Sequence, residues 1–97
     1  MKVNVHSIHF DADQKLVTFI NKKIDKLNVF LDGILSADVY LKVDKVNAKD
    51  NKIAEVSIKV AGKELFAKKQ CDSFEEAVDN ACGALKKQAE KYKAKTV

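Results

Sequence analysis

Proline is absent from this 97-residue chain, and cysteine is held to two residues. Without proline, a low-complexity tract or a linker, nothing marks an internal domain boundary, and ninety-seven residues suit one hydrophobic core but not two. The whole span 1–97 therefore reads as a single domain. Cys71 and Cys82 are too few and too awkwardly spaced for a disulfide framework or a zinc site, so both read as reduced thiols packed inside a cytoplasmic protein. No apolar run approaches the length that spans a bilayer. The opening Met1-Lys2-Val3-Asn4-Val5-His6 alternates apolar and polar residues as a strand does, unlike a signal peptide, and a membrane is not an expected partner.

Catalytic chemistry is equally scarce. His6 and His9 lie three apart on a strand, so their side chains face opposite ways and cannot easily share a metal. Neither cysteine has a histidine nearby in a recognisable nucleophile motif. Glu75-Glu76 is a pair of carboxylates at a helix start, where capping explains it, and Gly33 and Gly62 are isolated turn residues, not a phosphate-cradling loop. The expectation is a protein that is not an enzyme and uses no cofactor, metal or small-molecule substrate.

What the chain does have is regular patterning. Residues 2–9 read as a first strand. Asp11 and Asp13 then offer carboxylates to the unpaired N–H groups of a helix N-terminus. From Leu16 the apolar positions Phe19, Ile20, Ile24, Leu27 and Leu31 recur at three- and four-residue steps, predicting a helix over 13–31 that ends at Asp32-Gly33. Residues 37–46 alternate, with Ala37, Val39, Leu41 and Val43 on one face. Residues 53–60 alternate again, with Ala54, Val56, Ile58 and Val60 on one face. Asn47-Ala48-Lys49-Asp50-Asn51 is a polar turn between them, and Ala61-Gly62-Lys63 is a tight hairpin leading to a strand over 64–71. Ser73-Phe74-Glu75-Glu76 has the form of a capping box. Behind it Phe74, Val78, Ala81, Leu85, Gln88 or Ala89, and Tyr92 make one stripe of a last helix. The predicted fold is an α+β two-layer sandwich of order β-α-β-β-β-α, a four-stranded mostly antiparallel sheet carrying two helices on one face.

The net charge of +4 is modest, and its arrangement says more than its size. On the first helix Lys15, Lys22 and Lys26 fall opposite the apolar stripe, with Lys23 at its edge. On the last helix Asp72, Glu75, Glu76 and Asp79 gather at the start, while Lys86, Lys87, Lys91, Lys93 and Lys95 crowd the end. The helix dipole accounts for part of this polarity, since it favours acids at the N-terminus and cations at the C-terminus. It does not account for lysines running over more than two turns, or for the second cluster. Clustered ammonium groups suit phosphate, and no residue pattern suggests base-specific readout, so a folded RNA recognised by shape and backbone is the target class. From residue patterns alone, an RNA-gripping surface and a merely solvated lysine face both stay open.

Several stretches taken in order are similar to a known family. These are Val3-Asn4-Val5, Lys23-Ile24-Asp25-Lys26-Leu27, Val39-Tyr40-Leu41-Lys42-Val43-Asp44-Lys45, Ala77-Val78-Asp79 and Leu85-Lys86-Lys87-Gln88. They resemble the short ribosome hibernation promoting factors and ribosome-associated inhibitor A proteins, the sigma-54 modulation protein family, over essentially the whole chain. The resemblance implies a factor that binds the small ribosomal subunit through its rRNA, occludes the mRNA and tRNA decoding channel, and inhibits translation in slow growth, stationary phase or stress. It implies rRNA contacts from Lys23, Lys26, Lys87 and Lys91, which match basic family positions by type and place. Lys22 and Lys86 join them as neighbours of those positions. The likeness is to the short type, without the second domain by which long members pair ribosomes, and short members assist pairing together with a separate factor.

The chain departs from the family at Ser73-Phe74-Glu75, where an aspartate-methionine-tyrosine run is usual, and at Ala84, where a basic residue is usual. Two other readings fit the same residues. One is a general double-stranded RNA-binding domain, since three strands followed by a helix resemble such modules. The other is a protein-interaction module that touches no RNA.

Overall fold

A computed structural model describes residues 2–8, 10–31, 33–45 and 49–95, with side chains described as far as Lys91. Six elements follow in the order β1 (Lys2–Ser7), α1 (Gln14–Leu31), β2 (Ser36–Val43), β3 (Lys52–Val60), β4 (Lys63–Cys71) and α2 (Phe74–Lys95). This is the predicted β-α-β-β-β-α order, with no end shifted by more than three residues. The strands form one sheet in the order β1-β2-β3-β4. β1 runs parallel to β2, with Val5 opposite Val39, while β2–β3 and β3–β4 are antiparallel. A parallel neighbour demands a crossover connection, and α1 supplies it.

Alternation along the strands decides which face is covered. Ala37, Val39 and Leu41 of β2, Ala54, Val56 and Ile58 of β3, and Leu65 and Ala67 of β4 are all buried toward one side. Leu16, Ile20, Ile24, Leu27 and Leu31 of α1 meet them, together with Ala77, Val78, Ala81, Cys82, Leu85 and Ala89 of α2. α2 lies over β3 and β4 and packs along α1, which reaches β1. Both helices therefore share a single face, and the other face stays wet.

The helix starts are capped as their residues suggest. Asp13 Oδ1 accepts from Leu16 N–H at 2.8 Å, and Ser73 Oγ accepts from Glu76 N–H at 3.1 Å. After α1, Asn28 Oδ1 accepts from Ile34 N–H at 3.1 Å, and Gly33 takes φ 109° to turn the chain. Asp32, the other half of the predicted stop, lies outside the described residues, as do His9, Asn47 and Ala48; the side chain of Tyr92 does too. In the β3–β4 hairpin the positive φ of 76° falls on Gly62, where a side chain would be strained.

Asn51 and Ile53 depart from the pattern. Asn51, expected in a polar turn, is only 5% exposed. Its Nδ2 donates to Lys45 O and its Oδ1 accepts from Lys52 Nζ, each at 2.6 Å, so a buried amide closes the β2–β3 connection. Ile53 belongs to the wet face by its register and is nonetheless buried, with Lys42 opposite on one side and Gln70 on the other.

On the same wet face Asp38 Oδ1 accepts from Asn4 Nδ2 and lies 3.2 Å from His6 Nε2, whose ring stacks on Tyr40. The His6 hydrogen bond, helped by Asn4 and opposed by burial, holds the Asp38 carboxyl below the usual carboxylate range.

Candidate nucleic-acid interface

Charged side chains from both helices gather where α1 and α2 run together. α1 presents Lys23 and Lys26 at the seam because Ile20, Ile24 and Leu27 turn inward and the next positions around the helix come out beside α2. α2 presents Lys86 for the same reason, next to the fully buried Leu85. These three lysines, with Phe30, Asp79 and Gly83, line a hollow of about 280 Å³ between the helices. Lys86 Nζ lies 5.0 Å from the centre of the Phe30 ring, and Lys23 Nζ lies 5.5 Å from that of Phe19, so both ammonium groups rest against aromatic faces.

Lys23 is not a free cation. Its Nζ is 2.7 Å from Asp79 Oδ1, an ion pair that bridges the two helices. Partly exposed pairs of this kind stabilise by about 0–1 kcal/mol, so the pair orients Lys23 more than it holds the fold.

The other expected contacts are spread differently. Lys87 lines a second hollow, of about 550 Å³, with Lys69 of β4, and this hollow shares Asp79 and Gly83 with the first. Lys91 is exposed one turn further along α2. Lys22 lies apart, lining a hollow with Lys15 and Phe19 on another part of α1. The structure thus brings Lys23, Lys26 and Lys86 together, sets Lys87 beside them, leaves Lys91 further along the helix, and separates Lys22.

Asp79, Phe30, Lys69 and Gly83 were not singled out from the sequence as parts of such a surface. A signal for Lys69 was present, since the alternation Leu65, Ala67, Lys69, Cys71 puts it on the helix side of the sheet. Gly83 stands in the middle of α2, where glycine costs about 1 kcal/mol relative to alanine. It is exposed, and a Cβ built there would meet no heavy atom within 4 Å.

All eighteen cationic side chains of the protein are lysine. Lysine is a compact, strongly hydrated point charge on a flexible stem and lacks the rigid fork that reads guanine or clamps a phosphate bidentately. Such a surface favours backbone contacts over base readout.

A family profile described as "Sigma 54 modulation protein / S30EA ribosomal protein" matches residues 3–97. The chain belongs to that family. Ribosome hibernation promoting factors are among the relatives of this S30EA protein. That of Azotobacter vinelandii is 28% identical over 97 residues, covering 100% of this chain and 87% of the relative. That of Pseudomonas putida is 26% identical, covering 98% and 89%. A ribosome hibernation promotion factor of Bacillus subtilis is 27% identical, and the match takes in 98% of this chain but 50% of that protein.

Among solved structures, a ribosomal subunit interface protein from Coxiella burnetii superposes with a TM-score of 0.86 at 23% identity, covering 97% of this chain and 99% of that one. The N-terminal domain of Thermus thermophilus Protein Y gives 0.75 at 21%, covering 94% of each chain. These likenesses establish the S30EA fold, and the family is one of ribosome-associated factors, not enzymes.

The two cysteines of this S30EA protein are buried and unpaired. Cys71 Sγ accepts from Asn80 Nδ2 at 3.4 Å. Burial pushes the Cys82 thiol up to about 11, against the pull of nearby Lys23. At pH 8 only about one Cys82 in a thousand is then a thiolate. Iodoacetamide should label Cys82 slowly in the folded protein and quickly in denaturant. Fast labelling of the folded protein at pH 8, read by peptide mass, would contradict the burial described.

Proposed function

We propose that this S30EA-family protein silences idle ribosomes by binding the small subunit through rRNA and occupying the path of mRNA and tRNA. The observation that carries this reading is the gathering of Lys23, Lys26 and Lys86 in one inter-helical hollow, with Lys87 adjoining, in a chain whose relatives are named ribosome hibernation promoting factors. The mechanism is steric. The sheet holds α1 and α2 at a fixed spacing, and lysines on both sides of the seam neutralise phosphates of one folded RNA surface. Occupation of the decoding region excludes the substrates of translation without any bond being made or broken. The protein acts in the cytoplasm, where ribosomes are, in slow growth, stationary phase or stress, with a separate ribosome-pairing factor as a further partner.

The test is a fourfold variant, Lys26→Glu, Lys86→Glu, Lys87→Glu and Lys91→Glu. Lys23 is left in place because its reversal would set two carboxylates against each other at Asp79. All four altered residues are exposed, so the circular dichroism spectrum should be unchanged. Co-sedimentation with purified small subunits should be lost, and with it the inhibition of translation in a reconstituted system. A folded variant that still travels with the small subunit would end the proposal.

A further inference from the structure

We infer that Gly83 is where the sugar–phosphate backbone of the bound RNA passes closest to α2, crossing the helix from one lysine-lined hollow to the other. The inference rests on the RNA-binding reading above and adds a contact to it that carries no charge. Glycine is the poorest helix former after proline, so its place in the middle of a long helix calls for a reason.

Two internal reasons are ruled out by geometry. Gly33 and Gly62 have positive φ values of 109° and 76°, whereas Gly83 keeps an ordinary helical backbone. A Cβ at Gly83 would meet no heavy atom within 4 Å, so no neighbouring element packs too closely to admit one. Inside the protein, then, alanine would fit and would suit the helix better.

The surroundings supply the external reason. Gly83 is exposed and forms part of the lining of both hollows. Lys23, Lys26 and Lys86 stand in one of them, and Lys69 and Lys87 in the other. On α2 itself, residues three and four positions away share its face, which frames the bare backbone with Asp79 and Asn80 on one side and Lys86 and Lys87 on the other. A polyanion that engages both sets of lysines has to cross α2 between them. The missing side chain lets it lie against the helix backbone, within reach of ammonium groups from either flank. A methyl group there would lift the strand and lengthen those contacts together.

Gly83→Ala and Gly83→Leu, made in the full chain, should separate fold from binding. Alanine should raise the melting temperature, by about 4–8 °C for a domain of this size. The same variant should weaken binding to purified small ribosomal subunits. One lost phosphate contact is worth roughly eightfold at 0.1 M salt and about one unit of log–log salt slope. Leucine should weaken binding further without unfolding the chain. Two results would overturn the inference: both variants binding as tightly as the parent, or Gly83→Ala lowering the melting temperature, which would give the glycine an internal role. The fourfold glutamate variant tells the two failures apart. If it loses the subunit while both Gly83 variants keep it, the crossing point is wrong and the RNA surface stands. If it keeps the subunit, the RNA surface itself is wrong.

Discussion

Leu85→Ala should destabilise the protein by about 3–5 kcal/mol, among the largest single-residue effects expected on the fold. Leu85 is fully buried in the core that α1, α2 and the sheet share, so its loss leaves a cavity no single element can close. A domain of this length has about 5–15 kcal/mol of stability in all, and the variant would forfeit about a fifth of it or more. With a slope of about 1–3 kcal/mol per molar urea, the unfolding midpoint should fall by at least about 1 M. Val29→Ala is the matched comparison. Val29 is 84% exposed, and surface changes of this sort stay within about 0.5 kcal/mol. Equal midpoints for the two variants would mean that the core described around Leu85 is wrong.

The second large effect is on binding. If Lys23, Lys26, Lys69, Lys86, Lys87 and Lys91 each neutralise one phosphate, affinity for the small subunit should fall about a thousandfold between 50 and 200 mM salt, a log–log slope near −5. Lys26→Ala with Lys86→Ala should then bring the slope down by about two units, because each removes one released counterion. Lys22→Ala should change it little, since Lys22 lies away from the seam. A slope near zero, or binding indifferent to the double variant, would return the lysines to the status of a solvated surface. A free A-form duplex is the informative competitor. A general duplex binder would hold it as tightly as the intact subunit at the same salt, whereas a ribosome factor would prefer the subunit.

Local periodicity made most of the architecture readable in advance. Ala37, Val39 and Leu41 announce a strand with one buried face, and Ile20, Ile24, Leu27 and Leu31 announce a helix with one buried stripe, because each pattern has only one way to meet a core. Asp13 and Ser73 mark helix starts by the same local logic. Features that depend on how a loop closes on itself, or on a partner distant in sequence, were not readable. Asn51 is a turn residue by type, and only the approach of Lys45 and Lys52 buries and satisfies it. Asp79 reads as one more acid at a helix start until α1 brings Lys23 against it. The candidate surface was legible as two lysine clusters, but which lysines share a hollow depends on how α1 and α2 are rotated. That rotation admits Lys86 and leaves Lys22 out.

The Lys23–Asp79 bridge explains how so many like charges coexist when nothing is bound. One carboxylate stands at the boundary of both hollows and offsets the mutual repulsion of the ammonium groups around it. On the proposed reading, that carboxylate is an internal understudy for an RNA phosphate, already in place in the free protein.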